Sequence, residues 1–398
     1  MNERAARRAE FDWLRVLALG MLMIFHSMMG YSDWPWHVND PHHSVVLDGI
    51  LDFMLRWRVS LVFVVSGAAL MLALDRRKPL AILRERCARL LVPLVFGMAV
   101  IVPPQIYLDR VQHGKFHGSF LDWLPQAYSG IYPAGNLTWN HLWFIPYVLT
   151  LSAIALPFFL WARSPDRRLR MERWMHAVAE RHLFWLLVVP LGIAQWLMLG
   201  QGSDSHTFIG DAHGWLEFGS LFMLGGAVAR WPIVLASIQR ERYAALIVGV
   251  VAYSALRKEW PGEPASTAGV FSWCTISALN VLAWVLAFLG FLTRWFNRPS
   301  PVVTYLTEAA MPVYVLHQTL IVLMVYDMHK LGLPVGLKIL CTLLFAVAGA
   351  LGLYELAIRR SKWLRILFGV KPKARTLGPE LLVPDAAAPT SRSTGRSS

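Results

Sequence analysis

Long apolar runs recur along most of the chain, separated by short polar segments. A run of about 20 apolar residues is long enough to cross a bilayer as a helix. The pattern predicts ten such spans, near 11–31, 53–74, 90–108, 141–162, 183–200, 215–230, 243–257, 270–293, 302–326 and 335–357. The sixth and seventh are the weakest, being short and flanked by polar residues. The expected fold class is therefore an all-α integral membrane protein, with a basic segment at 1–10, one membrane domain over 11–370 and a tail over 371–398. From about Pro379 the tail turns to Ala, Pro, Ser and Thr, a composition that does not build a core. No internal repeat is visible at the 20–50-residue scale. The first apolar run is too long, and lacks the small-residue pattern, for a cleavable signal peptide.

Composition agrees with this reading. Of 398 residues 56% are apolar and only 16% charged, unlike a soluble chain of this length. The net charge of +13 invites a nucleic-acid partner, but its distribution argues against one. Basic residues cluster in alternate loops: Arg4, Arg7 and Arg8; Arg76 to Arg89; Arg163 to Arg181; Arg230 to Arg242; Arg294 and Arg298; and the tail from Arg359. The intervening loops hold few, among them Arg110, Lys115 and a borderline Lys338. That is the positive-inside pattern, and it expects both termini in the cytoplasm. Cys87, Cys274 and Cys341 are scattered and imply no disulfide framework.

Four polar elements interrupt the spans. Arg15 and His26 lie 11 residues apart in the first, which puts both on one helix face about 16 Å apart along the axis. An ionisable group in hydrocarbon costs about 3 kcal/mol, so a functional site is the default reading. Asp12 sits one turn before Arg15 and can pair with it. The plain alternative is an Arg15 that snorkels to headgroups beside a hydrogen-bonded core histidine. The second element is Phe63-Val64-Val65-Ser66-Gly67, after Arg56 and Arg58. Gly67 suits close helix packing, and no base adjoins Ser66 that would make it a nucleophile. The third is Asn140-His141-Leu142-Trp143-Phe144, at the outer mouth of the fourth span. The fourth is Tyr314-Val315-Leu316-His317, with Tyr314 and His317 sharing a face. Glu308 falls on the opposite face of a straight helix, although Pro312 can kink it. Glu355 can simply pair with Arg359.

The outer loops, 32–43 and 109–140, are rich in aromatic, Asn, Asp and His residues, including Trp34, Trp36, Trp123, Tyr128, Tyr132 and Trp139. They suit a sugar surface or, equally, an interfacial aromatic belt. His37, His42 and His43 lack a fourth ligand at close spacing, so no metal is expected. Histidines in separate spans with a deep Arg would also serve a proton-coupled exporter. A non-catalytic membrane partner protein is a third reading.

The ordered set Arg15–His26, Phe63-x-x-Ser66-Gly67, His141-Leu142-Trp143-Phe144 and Tyr314-x-x-His317 resembles the acyltransferase-3 family over roughly residues 10–370. Within it, Trp36-His37-Val38-Asn39, Arg58 and Tyr354-Glu355 are similar to members that succinylate periplasmic glucans. The resemblance implies O-acylation across the bacterial inner membrane. Acyl-CoA, here succinyl-CoA, would be a cytoplasmic cosubstrate with no permanently bound cofactor, and a periplasmic glucan or other polysaccharide the acceptor. His26 carries over as the catalytic residue, with His141 and His317 as further candidates. Arg15 carries over as a donor-binding or site-organising residue and Arg58 as a second donor-binding candidate. Ser66, His141 and Tyr314 are unranked oxyanion candidates, and Asp12, Gly67 and Glu308 supporting ones.

Overall fold

The computed structural model describes residues 8–201, 208–259 and 266–371. Residues 1–7 of the expected basic segment, and all of the expected tail but Lys371, lie outside the described residues. The elements are α1 (Ala9–Met29), α2 (Val45–Leu55), α3 (Arg58–Leu74), α4 (Pro79–Phe96), α5 (Pro103–Gln112), α6 (Phe120–Trp123), α7 (Phe144–Ala162), α8 (Arg168–Glu180), α9 (Val188–Gln201), α10 (Ala212–Arg230), α11 (Pro232–Glu259), α12 (Thr267–Trp295), α13 (Pro301–Met328), α14 (Val335–Leu353) and α15 (Lys362–Leu367). A π turn, Gly97–Ile101, joins α4 to α5, and a 3-10 turn, Asn140–Trp143, leads into α7.

Among the described residues seven helical stretches are long and apolar enough to cross a membrane: Ala9–Met29, Val45–Leu74, Pro79–Gln112, Asn140–Ala162, Thr267–Trp295, Pro301–Met328 and Val335–Ile358. They correspond to the expected first four and last three spans. The expected spans 183–200, 215–230 and 243–257 do not qualify alone. They occur within two bent pairs, Pro165–Glu180 with Leu183–Leu199 at 89° and Ala212–Arg230 with Pro232–Lys258 at 109°. Counting each pair as one span gives up to nine. The reasons differ: α9 is only 14 residues long, whereas α10 carries His213 and Glu217 and α11 carries Arg240-Glu241-Arg242.

Apolar burial falls into two clusters. One is built on α3, α7, α10 and α12, the other on α5, α13 and α14, and α1 contributes to both. Helices α3 and α10 approach so closely that glycine is required on each. A Cβ on Gly67 would meet Phe222 O at 1.9 Å, and one on Gly225 would meet Val64 O at 1.9 Å. This is the small-residue packing that lets helix backbones touch in lipid. Between the clusters, α1, α3, α4, α7 and α13 leave a long cavity.

On the far side of α1 the chain turns back over the helix ends. Asn39 donates to Trp34 O at 3.0 Å and accepts from Trp36 N–H at 3.0 Å, closing the loop on itself. Asp40 N–H donates to Gly30 O at 2.7 Å. Lys338, borderline between outer loop and last span in the sequence, is fully buried, and its Nζ donates to the buried Asp40 at 2.5 Å. Burying two charges is tolerated because they are paired. The pair ties the loop to α14.

Candidate active site

The cavity encloses about 1200 Å³. One end is ringed by Arg8, Arg15, Arg76, Arg77, Arg86, Arg89, Arg365 and Lys371. The other ends on His26, Arg58, His141 and Tyr314. Helical periodicity accounts for this: Phe11, Arg15, Ala18, Leu22 and His26 recur every three or four residues along α1 and all face the cavity.

Three histidines from three helical segments meet at the closed end. His26 Nδ1 and His317 Nε2 are 2.9 Å apart, with rings stacked at 5.1 Å. The His141 ring stands edge-on to His317 at 5.2 Å. The chain turns at Asn140 in the left-handed region (φ 45°), which Asn tolerates, and so brings His141 inward. Hydrogen-bond direction then assigns protons. His317 Nδ1 donates to Tyr314 O at 2.6 Å, so a neutral His317 has its lone pair on Nε2 and accepts from His26 Nδ1–H. His26 Nε2 is left with the free lone pair. His141 Nε2 donates to Val315 O at 3.1 Å, which leaves its buried Nδ1 without a partner.

The other candidates divide. Arg15 faces the cavity 3.9 Å from Asp12. Ser66 also lines it, but its hydroxyl donates to Val62 O at 2.9 Å. The Tyr314 hydroxyl donates to His141 O at 2.5 Å. All three oxyanion candidates, His141 included, thus have a donor engaged by a backbone carbonyl. Glu308 is 3.2 Å from Arg365 at the basic mouth, well short of the histidines. Gly67 faces α10 rather than the cavity. Glu355 pairs with Arg359 at 2.9 Å. Among the described residues, no group of three or more His, Cys, Asp or Glu is placed to hold a metal ion.

Periodicity alone could not find several residues. Arg86 reaches into the wall, donating to Ser152 Oγ at 2.7 Å and to Ser66 O at 3.4 Å. Behind the histidines lies an amide layer. Gln318 donates to Asn140 Oδ1 at 3.0 Å, Asn140 to Gln105 Oε1 at 2.9 Å, and Gln105 to Thr319 Oγ1 at 2.5 Å. Asn140 also donates to His37 Nε2 at 3.0 Å. The signal was present, since Asn140 and Gln318 adjoin His141 and His317 in sequence. A second cavity, about 220 Å³, opens beyond this layer, lined by His37, Tyr132, Trp139, Asn140 and Trp143. Trp143 lines both cavities. Trp36 stacks on His26 at 6.4 Å and covers it from that side. A third polar cluster stands apart: buried Glu217 accepts from Ser60 at 2.6 Å and from Gln195 at 2.9 Å.

The arrangement is a base with a free lone pair, between a long cationic cavity and a small aromatic one. Residues 8–355 match the acyltransferase domain of a known family. The chain belongs to the acyltransferase-3 family. It is an O-acyltransferase of the multi-pass membrane type. Glucans biosynthesis protein C of Escherichia coli (strain K12) is 23% identical over 399 residues, covering 94% of this chain and 97% of the relative. The protein of the same name from Escherichia coli O157:H7 is 23% identical over 387 residues, with the same coverage. No solved structure matches the chain. The Arg15–His26 face of α1 is a wall of the main cavity, and His141 and His317 meet at the same end as His26.

Proposed function

We propose that this enzyme moves an acyl group, succinyl in particular, from cytoplasmic acyl-CoA to a hydroxyl of a periplasmic glucan. In this reading the chain lies in the bacterial inner membrane, with ten spans and both termini cytoplasmic. The carrying observation is the cavity that opens among basic residues and ends on His26. The basic mouth suits the phosphates of the coenzyme, with Arg15 the deepest cation on α1. A pantetheine arm then covers the roughly 16 Å between Arg15 and His26. The aromatic second cavity suits a sugar ring arriving from the other side.

His26 Nε2 takes the proton of the glucan hydroxyl as its oxygen attacks the thioester carbonyl. The C–O bond forms, the tetrahedral intermediate collapses, the C–S bond breaks, and the imidazolium proton passes to the departing thiolate. His317 accepts from His26 Nδ1–H throughout, which keeps Nε2 facing the substrates. The tetrahedral oxyanion needs a donor at the same end. Ser66, Tyr314 or His141 supplies one on turning from its carbonyl.

The test uses sealed inside-out vesicles. Acyl-CoA in the bulk should modify glucan trapped in the lumen and leave bulk glucan unmodified until detergent opens the vesicles. His26→Ala vesicles should lose about 10²–10⁴ in rate. Acylation of bulk glucan in intact vesicles would overturn the sidedness, and a wild-type rate for His26→Ala would overturn the mechanism.

A further inference from the structure

Arg58 is the least explained charge in the protein. It starts α3, is 4% exposed, and faces the closed end of the main cavity. Its Nε and Nη1 are buried without a hydrogen-bond partner. Among the described residues, no carboxylate lies within ion-pair distance of it. Its guanidinium lies over the face of Phe25, 3.6 Å from guanidinium carbon to ring centroid. A buried, unpaired guanidinium is costly unless something anionic completes it. The other deep arginine differs: Arg86 is occupied by Ser152 and the carbonyl of Ser66.

The position of Arg58 says which anion fits. Phe25 precedes His26, and the two rings meet edge-on at 5.6 Å. Arg58 and His26 thus flank one aromatic ring at the end where the thioester must sit. The coenzyme phosphates are held at the opposite mouth, so they are not the missing anion. At about 1.5 Å per carbon–carbon bond, a four-carbon diacid spans roughly 4 Å between its carboxyl carbons. With a contact distance added at each end, that length is commensurate with the two contacts of the Phe25 ring, 3.6 Å to the Arg58 guanidinium carbon and 5.6 Å to the His26 ring. A carboxylate is an anion that a guanidinium holds by charge-assisted hydrogen bonding.

We propose that Arg58 binds the distal carboxylate of a short dicarboxylic acyl group and so selects the acyl donor. This rests on the acyl-transfer reading above. Because the pocket end is closed and the base is fixed by His317, the charge pairing also sets chain length. A neutral acyl group leaves the guanidinium unpaired, and a longer diacid cannot hold both ends in place.

The test compares succinyl-CoA with its neutral monomethyl ester as donors for purified full-length protein, with glucan as acceptor. The wild type should prefer succinyl-CoA in kcat/KM by about 10–100-fold, the range expected of a charge-assisted pair. In Arg58→Gln the ratio should fall close to one. Arg58→Lys, the second variant should Arg58→Gln not accumulate, should retain part of the preference, because it keeps the charge and loses the fork. A wild type that does not discriminate overturns the proposal. So does an Arg58 variant that loses both donors in equal proportion, which would make Arg58 an oxyanion donor. Failure of the wild type to transfer any acyl group would instead overturn the acyl-CoA reading.

Discussion

His26 on α1 and His317 on α13 share a hydrogen bond at 2.9 Å, and the second ring nitrogen of His317 is fixed by the carbonyl of Tyr314. A relay of backbone carbonyl, imidazole and imidazole makes the protonation of His26 a consequence of helix geometry. In the proposed mechanism His317 acts through His26 rather than on substrate.

His317→Ala should lower kcat by about 10²-fold, within the range for a disturbed general base, with donor KM little changed. His317→Gln offers an amide oxygen that can accept from His26 Nδ1–H and should recover part of that loss. Steady-state kinetics on both variants check this. Equal rates for Ala and Gln would remove the positioning role.

Arg15→Lys separates two readings of one side chain. If Arg15 binds the coenzyme, Lys loses the multi-donor fork and the apparent KM for the acyl donor should rise about tenfold. If Arg15 only snorkels, Lys snorkels as well and kinetics stay at the wild-type level. Donor titrations at saturating glucan distinguish them.

Gly67→Ala should destabilise the protein without touching the histidines. The added methyl would sit 1.9 Å from Phe222 O, a backbone atom that cannot move aside. A cost of about 1–3 kcal/mol or more is expected for such overpacking. Thermal unfolding in detergent measures it, and an unchanged midpoint would mean that α3 and α10 are not in contact.

Topology reporters after residues 40, 125 and 330 should read as periplasmic, and those after 80, 172, 297 and 375 as cytoplasmic. Fusions after 208, 236 and 262 decide the bent pairs, with periplasmic, cytoplasmic and periplasmic signals expected. The same side at 208 and 236 would make α10 something other than a full span.

The spans with the strongest apolar runs were readable from order alone. So were the faces within a helix, because 3.6-residue periodicity makes Arg15 and His26 neighbours of one cavity whatever surrounds them. The three middle spans were not: α9 is short and bent away from α8, and His213, Glu217 and Arg240-Glu241-Arg242 blur the hydropathy of α10 and α11. Lys338 was not readable either. Its charge at the edge of the last span cannot be placed until Asp40, 298 positions away, is known to meet it.

What the sequence by itself determined is composition and local periodicity: an all-helical membrane chain, a deep Arg and His on one face, and histidines in later helices. Each of these depends on neighbours a few residues away. What only the tertiary structure decided is which of those groups meet. His26 and His317 are 291 positions apart, and neither helix carries information about the other's register. The free lone pair of His26, the occupied donors of Ser66 and Tyr314, and the unpartnered nitrogens of Arg58 all follow from that packing, because a hydrogen bond is satisfied by atoms in space and not by residues in order.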